Sequence, residues 1–423
     1  MGYPVWEIPY AGGWLIVAVL STFFAVAAFF VAGESVFMAI LERRAHRHGD
    51  QPLLSFLQDW SRVYMLMTVV GIAGIGAGLW SVTDLAEPRA AGVLHALFFW
   101  LWATLWVLAL VLVSSSLLYY SGWGAMHPWG HAALGRVMAV SAWLSLFGVT
   151  GVLSFMLTPG EWIRTGAFAD AFFNPSFNAT LVVMAGTALG LSGLFSLVAA
   201  CDTDPARLRG ALVRTSSAFV IAGFILIPAG MAWQSAVIPE AARILARGPL
   251  TVSVVAFYGA LSLSLIITAI MLTGPFNRPE GATRSLSLLL LVMGLTVTTA
   301  HGRLLETFRR PFLIPGYLYS NGIGVTEAAR LNRNGFLKAA SYARASRGAG
   351  AELFRFQCMT CHTIDGHRSI RRLVEGRDAA TLDRQLARLE RLRGSMPPFI
   401  GTPEERRALA EWLASIEPGK AKR

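Results

Sequence analysis

The sequence of 423 residues is 54% hydrophobic and only 14% charged, with a mean hydropathy of +0.53. A soluble domain of this length does not have that composition, so most of the chain is expected inside a lipid bilayer. The net charge of +11 comes from 36 Lys and Arg against 25 Asp and Glu, and much of it lies outside the apolar part.

Apolar runs long enough to cross a bilayer lie at 14–41, 63–83, 93–120, 134–157, 178–201, 212–236, 250–273 and 285–305, predicting eight transmembrane helices. The first run is too long for a cleaved signal peptide and lacks a basic n-region, so it reads as a retained span. Glu34 stands well inside it. An ionisable group at that depth is a functional candidate by default, and a proton or quinone role competes with a structural hydrogen bond to a neighbouring helix. Gly74 with Gly78, and Gly186 with Gly190, have the spacing of small residues that lets helices pack closely. His95 and His301 fall near the outer ends of their spans. They could ligate a b-type haem together, or simply form hydrogen-bonded helix ends. Cys201, at the end of span five, reads as a free thiol used in packing.

Loop charge sets an orientation. With the N-terminus outside, the inner loops carry Arg43, Arg44, Arg47, Arg62, Arg136, Arg207, Arg209, Arg214, Arg278 and Arg284, and the outer ones Arg89, Arg164, Arg243 and Arg247. Basic residues favour the cytoplasmic side, so the chain is expected N-out in a bacterial inner membrane, with everything after span eight in the periplasm.

Residues 321–347, rich in Ala, Gly, Ser and Arg, read as a periplasmic tether with one or two short helices. They would join a membrane domain at 1–320 to a C-terminal domain at 348–423. From Thr326 onward there are 19 Lys and Arg against 11 Asp and Glu, a net +8. Such a surface suits docking on an acidic protein or anionic lipid. The plainer reading is that Arg371, Arg372, Arg384, Arg388, Arg391 and Arg393 only solvate helix faces. Nucleic acid is excluded by the compartment.

The C-terminal domain contains Cys358-Met359-Thr360-Cys361-His362. C-x-x-C-H is the attachment signal of a c-type haem: each thiol adds to one porphyrin vinyl group, and the imidazole falls under the iron as proximal ligand. A low-spin iron needs a sixth ligand. Met396, in Gly394-Ser395-Met396-Pro397-Pro398-Phe399, is the one methionine after Met359. The prolines fix the backbone that presents it, and a gap-filling core methionine is the alternative. His367 lies too near His362 to reach the opposite haem face easily and reads as a surface histidine. Thr402-Pro403-Glu404-Glu405 has the form of an N-cap, a proline at the first helical position and a capping-box glutamate. Leu409, Trp412, Leu413 and Ile416 then make one apolar stripe. Gly350, Leu353 and Phe354 sit on a short helix before the haem motif, where a glycine lets the helix bearing Trp412 approach. In this order, G-x-x-L-F, C-x-x-C-H and M-P-P-F resemble a small class I cytochrome c, which implies one covalent haem c with His362 and Met396 as axial ligands.

A second resemblance covers the membrane part. Ala39-Ile40-Leu41-Glu42 at the end of span one, Asn174-Pro175 before span five, and Glu306-Thr307-Phe308-Arg309-Arg310-Pro311-Phe312 after span eight look like landmarks of subunit I of cytochrome bd quinol oxidases. That family lies N-out, and a ninth span would follow where this chain has its haem domain. The departures are in the ligands. No histidine precedes His46, the haem b histidine position falls within a residue or two of Val183, and Pro249 to Ile270 contains no methionine. Span three lacks the family's glutamate, and the long quinol loop has shrunk to the region of Ile238 to Gly248. The resemblance thus implies a bd-type scaffold that cannot hold the three oxidase haems in the usual way and has gained a covalent one.

The sequence therefore predicts an all-α protein, a polytopic helical bundle followed by a small α-helical cytochrome c domain. Its expected role is that of a membrane-anchored electron-transfer subunit, working beside other subunits of a respiratory complex and a periplasmic donor or acceptor, with no catalytic residue of its own. Two other readings compete. One is a quinol:cytochrome c oxidoreductase with a quinone pocket near Glu306, Arg309 and Arg310. The other is a scaffold whose haem senses redox state.

Overall fold

A computed structural model describes residues 6–238, 252–340, 348–392 and 394–416. Eight of its helices are long and apolar enough to cross a membrane: Gly13–His48, Gln51–Ala86, Phe99–Ser121, Pro128–Phe155, Phe177–Cys201, Ala206–Val237, Val252–Thr273 and Arg284–Arg309. They are called spans one to eight below. Each contains most of one apolar run, so the chain is a multi-pass helical membrane protein. Several helices outlast their apolar runs because the backbone ladder continues into polar residues. Span one ends in His46, Arg47 and His48, and the Arg47 cation suits the negative end of a helix dipole. Residues 239–251, which hold most of the shortened loop between spans six and seven, lie outside the described residues.

The chain divides into two compact units, one of Thr22–Ala77 and Trp100–Phe308, the other of Met1–Ser21, Gly78–Phe99 and Arg309–Arg423. In the first, span five packs most extensively against span six. A Cβ on Gly223 would lie 2.4 Å from the Gly190 nitrogen and 2.5 Å from the Gly186 oxygen, so the pairing of Gly186 with Gly190 does serve close packing. Gly74 and Gly78 do not. Gly78 has no atom of a neighbouring element within 4 Å, and Gly74 meets only Val69. The reason is a π-helical stretch, Met67–Ile75, in the middle of span two. Its hydrogen bonds run i to i+5, which moves the contact face off the expected four-residue spacing. Gly71 and Gly76, five apart, make the approaches instead: a Cβ on Gly71 would be 2.4 Å from the Ala27 Cβ, and one on Gly76 would be 2.9 Å from the Phe24 ring.

The second unit has its own apolar core of Leu353, Phe354, Phe356, Leu382, Leu386, Leu409 and Leu413. The capping box at Thr402 and Glu405 is present and starts the helix Pro403–Ser415. Gly350 lies where a Cβ would be 2.3 Å from the Trp412 Cβ, so the two helices meet as their sequences predict. The stretch read as a tether is packed for much of its length. A hairpin of β1, Phe312–Ile314, and β2, Leu318–Tyr319, leads into the helix Val325–Asn334. Ile323, Leu331 and Phe336 then enter the same core as Leu353 and Phe354. Glu405 accepts hydrogen bonds from the Phe336 and Leu337 nitrogens, both at 2.8 Å. The expected short helix exists, but its apolar face is buried. Residues 341–347 lie outside the described residues.

Candidate haem site

The helix Ala349–Gln357 ends directly on the motif, with Cys358 as its C-cap. The Cys358 carbonyl accepts from the Cys361 nitrogen at 3.1 Å and the His362 nitrogen at 2.9 Å, a single turn that gathers both thiols and the imidazole. His362 Nδ1 donates to the Arg368 carbonyl at 2.9 Å. That bond places the ring proton on Nδ1 and the lone pair on Nε2, as a metal-ligating histidine requires. The cysteines are half-buried and not joined in a disulfide. Burial pushes the Cys358 thiol up to about 12, with the neighbouring Cys361 adding to the effect. Burial also raises Cys361, against the opposing pull of Arg310, whose Nη1 lies 3.5 Å from its Sγ. Both sulfurs are therefore thiols at neutral pH and slow to oxidise.

Met396 is half-buried in the turn that follows residue 393. The loop after it is fixed from the motif side. Gln357 Nε2 donates to the Ile400 carbonyl at 2.6 Å, and the Ile400 nitrogen donates to Gln357 Oε1 at 3.0 Å. The residue beside Cys358 thus holds the backbone of the distal loop. Two reduced thiols, an imidazole with its lone pair on Nε2 and a thioether form a donor set that fits a c-type haem.

The loop from Thr363 to Ser369 is covered by the start of span one, which local sequence did not reveal. The His367 nitrogen donates to the Tyr10 carbonyl at 2.6 Å. Trp14 stacks on the His367 ring at 5.8 Å between centroids, and the Arg368 guanidinium lies over Trp14 at 4.3 Å. His367 is accordingly half-buried, not the surface histidine its sequence neighbours suggest. A Cβ at position 366 would come within 1.9 Å of the Tyr10 carbonyl oxygen, so only Gly366 permits this approach. Arg89, read from sequence as loop charge, donates to the Phe356 carbonyl at 2.5 Å. Burial lowers its guanidinium to about 10, which leaves it charged at neutral pH.

The remaining candidates have separate surroundings. Glu34 is fully buried and accepts from Trp60 Nε1 at 2.6 Å, from Ser192 Oγ at 2.7 Å, and from Ser196 Oγ at 2.9 Å to the same oxygen as Ser192. Beside it, a Cβ on Gly33 would be 2.0 Å from the Ala188 oxygen, so spans one and five touch backbone to backbone. His301 Nε2 pairs with Gln234 Oε1 at 3.2 Å, and Gln234 Nε2 donates to Thr180 Oγ1 at 2.9 Å. His95 stacks on Trp80 at 4.2 Å and lies 3.5 Å from Asp84. His95 and His301 belong to different units, each with partners of its own. Glu306 and Arg309 are half-buried near the end of span eight.

Sequence reading missed a cluster around Glu42, which it used only as a landmark. Glu42 is 1% exposed and bonded to His131 Nδ1 at 2.7 Å and Tyr119 Oη at 3.0 Å. Its partners come from spans three and four, so no sequence spacing announces them. Asn174 of the Asn-Pro landmark is a buried knot, donating to Ser154 Oγ at 2.8 Å and accepting from the Ser176 nitrogen at 3.2 Å. Val183, near the family's haem b histidine position, is fully buried, and a Cβ on Gly230 of span six would be 2.6 Å from its Cγ2.

Fold and donor set together define a cytochrome c domain fused to a helical membrane bundle. Residues 345–413 match the family described as cytochrome c oxidase, cbb3-type, subunit III. Over the longer span, the chain is similar to a solved structure of bd oxidase from Geobacillus thermodenitrificans, at a TM-score of 0.60 and 15% identity, covering 75% of this chain and 91% of that one. At that identity the likeness is one of fold. No curated protein matches the sequence.

Proposed function

We propose that the protein is a membrane-anchored electron-transfer subunit carrying one covalent haem c at Cys358 and Cys361, with His362 and Met396 as axial ligands. The observation that carries this reading is the His362 Nδ1 bond to the Arg368 carbonyl, which sets the tautomer and aims the imidazole through its other nitrogen. Such a haem supplies one-electron chemistry between Fe(II) and Fe(III), and methionine ligation favours a raised potential. Cys358 and Cys361 anchor it, Gln357 fixes the distal loop, and Trp14 packs against the loop that orients the proximal ligand. The haem domain at 348–423 follows a membrane domain at 1–320 and the connector at 321–347. In the N-out orientation of the positive-inside rule, it faces the periplasm of a bacterial inner membrane.

Arg372, Arg377, Arg384, Arg388 and Arg391 are exposed and supply a basic face for an acidic redox protein. In the bundle, close packing at Val183 supports a scaffold without an oxidase haem at that position. A second reading, quinol:cytochrome c oxidoreduction, gains support from Arg310, which links the end of span eight to the haem cysteine Cys361. The decisive test is spectroscopic. Met396→Ala should keep covalent haem but lose the low-spin His/Met signature and change potential. An unchanged spectrum would remove Met396 from the iron.

A further inference from the structure

Among the described residues, two that are not glycine stand on left-handed backbone, Tyr10 at φ 63° and Arg368 at φ 51°. That conformation crowds the Cβ and costs free energy, so it persists only where surrounding contacts hold it. The two residues meet at one place. Tyr10 presents its carbonyl to the His367 nitrogen at 2.6 Å, and Arg368, the next residue, presents its own carbonyl to His362 Nδ1 at 2.9 Å. All four belong to the second unit.

The loop that carries Arg368 is held from two sides. From within, Thr363 Oγ1 donates to the His367 carbonyl at 2.9 Å and accepts from the Gly366 nitrogen at 2.9 Å, while Ser369 Oγ donates to the Ile364 carbonyl at 2.7 Å. From outside, residues 6–14 lie across it. The Trp6 nitrogen donates to the Leu85 carbonyl at 3.0 Å, which anchors this segment upstream. Further along, a Cβ on Gly12 would be 3.2 Å from Thr363 Cγ2, and the Arg368 guanidinium sits 4.3 Å from the centre of the Trp14 ring. The Tyr10 side chain is 70% exposed, so this residue serves the contact through its backbone.

We propose that residues 10–14 form a strap that sets the reduction potential of the haem, with Tyr10 and Arg368 as positioning residues. Tyr10 fixes His367, Trp14 fixes Arg368, and the Arg368 carbonyl so held governs how firmly His362 Nδ1 donates. The inference rests on His362 as an axial ligand, as proposed above. A firm bond at Nδ1 makes the imidazole a stronger base toward iron and favours Fe(III). With the strap released, Arg368 relaxes to ordinary backbone, its carbonyl turns from the ring, and the balance moves toward Fe(II).

The test is a potentiometric titration of the full-length holoprotein, read from the haem absorbance, with two substitutions at Tyr10. Both delete the same exposed ring. Tyr10→Gly is the conservative variant, since glycine takes left-handed backbone without cost, whereas the β-branched side chain of Tyr10→Val resists it. At the parent's midpoint potential, Tyr10→Val should move the haem several-fold toward Fe(II) and quicken exchange of the His362 Nδ1 proton with heavy water. Tyr10→Gly should retain the parent's values. Arg368→Gly supplies a second reading, because glycine holds the carbonyl in place unaided: adding Trp14→Ala to it should produce none of the shift that Trp14→Ala causes alone. Equal potentials in Tyr10→Val and the parent, or equal shifts in the two Tyr10 variants, would overturn the strap and leave the ligation standing. A parent without a histidine-ligated low-spin spectrum would instead overturn the ligation, and the strap with it.

Discussion

Two histidines show how differently the two parts of the molecule use one side chain. His362 donates from Nδ1 to a backbone carbonyl, which puts the ring's lone pair on Nε2. His131 commits both nitrogens, to Glu42 and to the Tyr119 carbonyl, and so belongs to a polar knot. His301 donates from Nε2 to Gln234 Oε1, one committed nitrogen, and in that respect stands nearer to the first case. The partners of each imidazole come from residues that no histidine count reveals.

The largest effect that would sharpen this contrast is on haem attachment. Cys361→Ala should abolish or severely reduce covalent haem staining of the 45.8 kDa chain, whereas His131→Gln should leave staining intact. Full staining in Cys361→Ala would break the comparison at its base. Next in size is packing. Gly350→Val places carbon where Trp412 already lies, and should destabilise the haem domain by about 1–3 kcal/mol, read as a lower denaturant midpoint of the haem absorbance. An unchanged midpoint would show that the two helices part readily. A smaller effect is expected at Trp14. Trp14→Ala loosens Arg368, weakens the bond that makes His362 basic, and should raise the haem potential by on the order of tens of millivolts, with Trp14→Phe retaining most of the parent value. An identical potential in all three would leave Trp14 a packing residue only.

Much of this contrast was legible from sequence on one side and hidden on the other. The haem motif, the capping box at Thr402 and the small residue at Gly350 are local signals, each fixed by neighbours within a few positions. Eight apolar runs likewise announce eight spans. The failures involve partners far apart in the chain. Nothing near His367 indicates that Trp14 covers it, and nothing near Glu42 points to Tyr119 or His131. Gly74 and Gly78 misled because the spacing rule presumes α-helical pitch, and span two is π-helical there. The connector's alanines and glycines resembled a tether, although Leu331 and Phe336 are fully buried.

Orientation offers an independent check. A reporter active only in the periplasm should work when fused after Arg423 and fail when fused near Asp204. The reverse pattern would overturn the N-out arrangement and, with it, the export of the haem domain.

The most direct test of the central claim, a covalent haem on a scaffold emptied of oxidase haems, is a haem inventory of the purified chain by pyridine haemochrome. The account predicts c-type haem near one per chain and no stoichiometric haem b or d. A stoichiometric b haem lost on substituting His301 or His95 would contradict the reading of those imidazoles, and a high-spin b or d haem with quinol-dependent oxygen uptake would contradict the account as a whole.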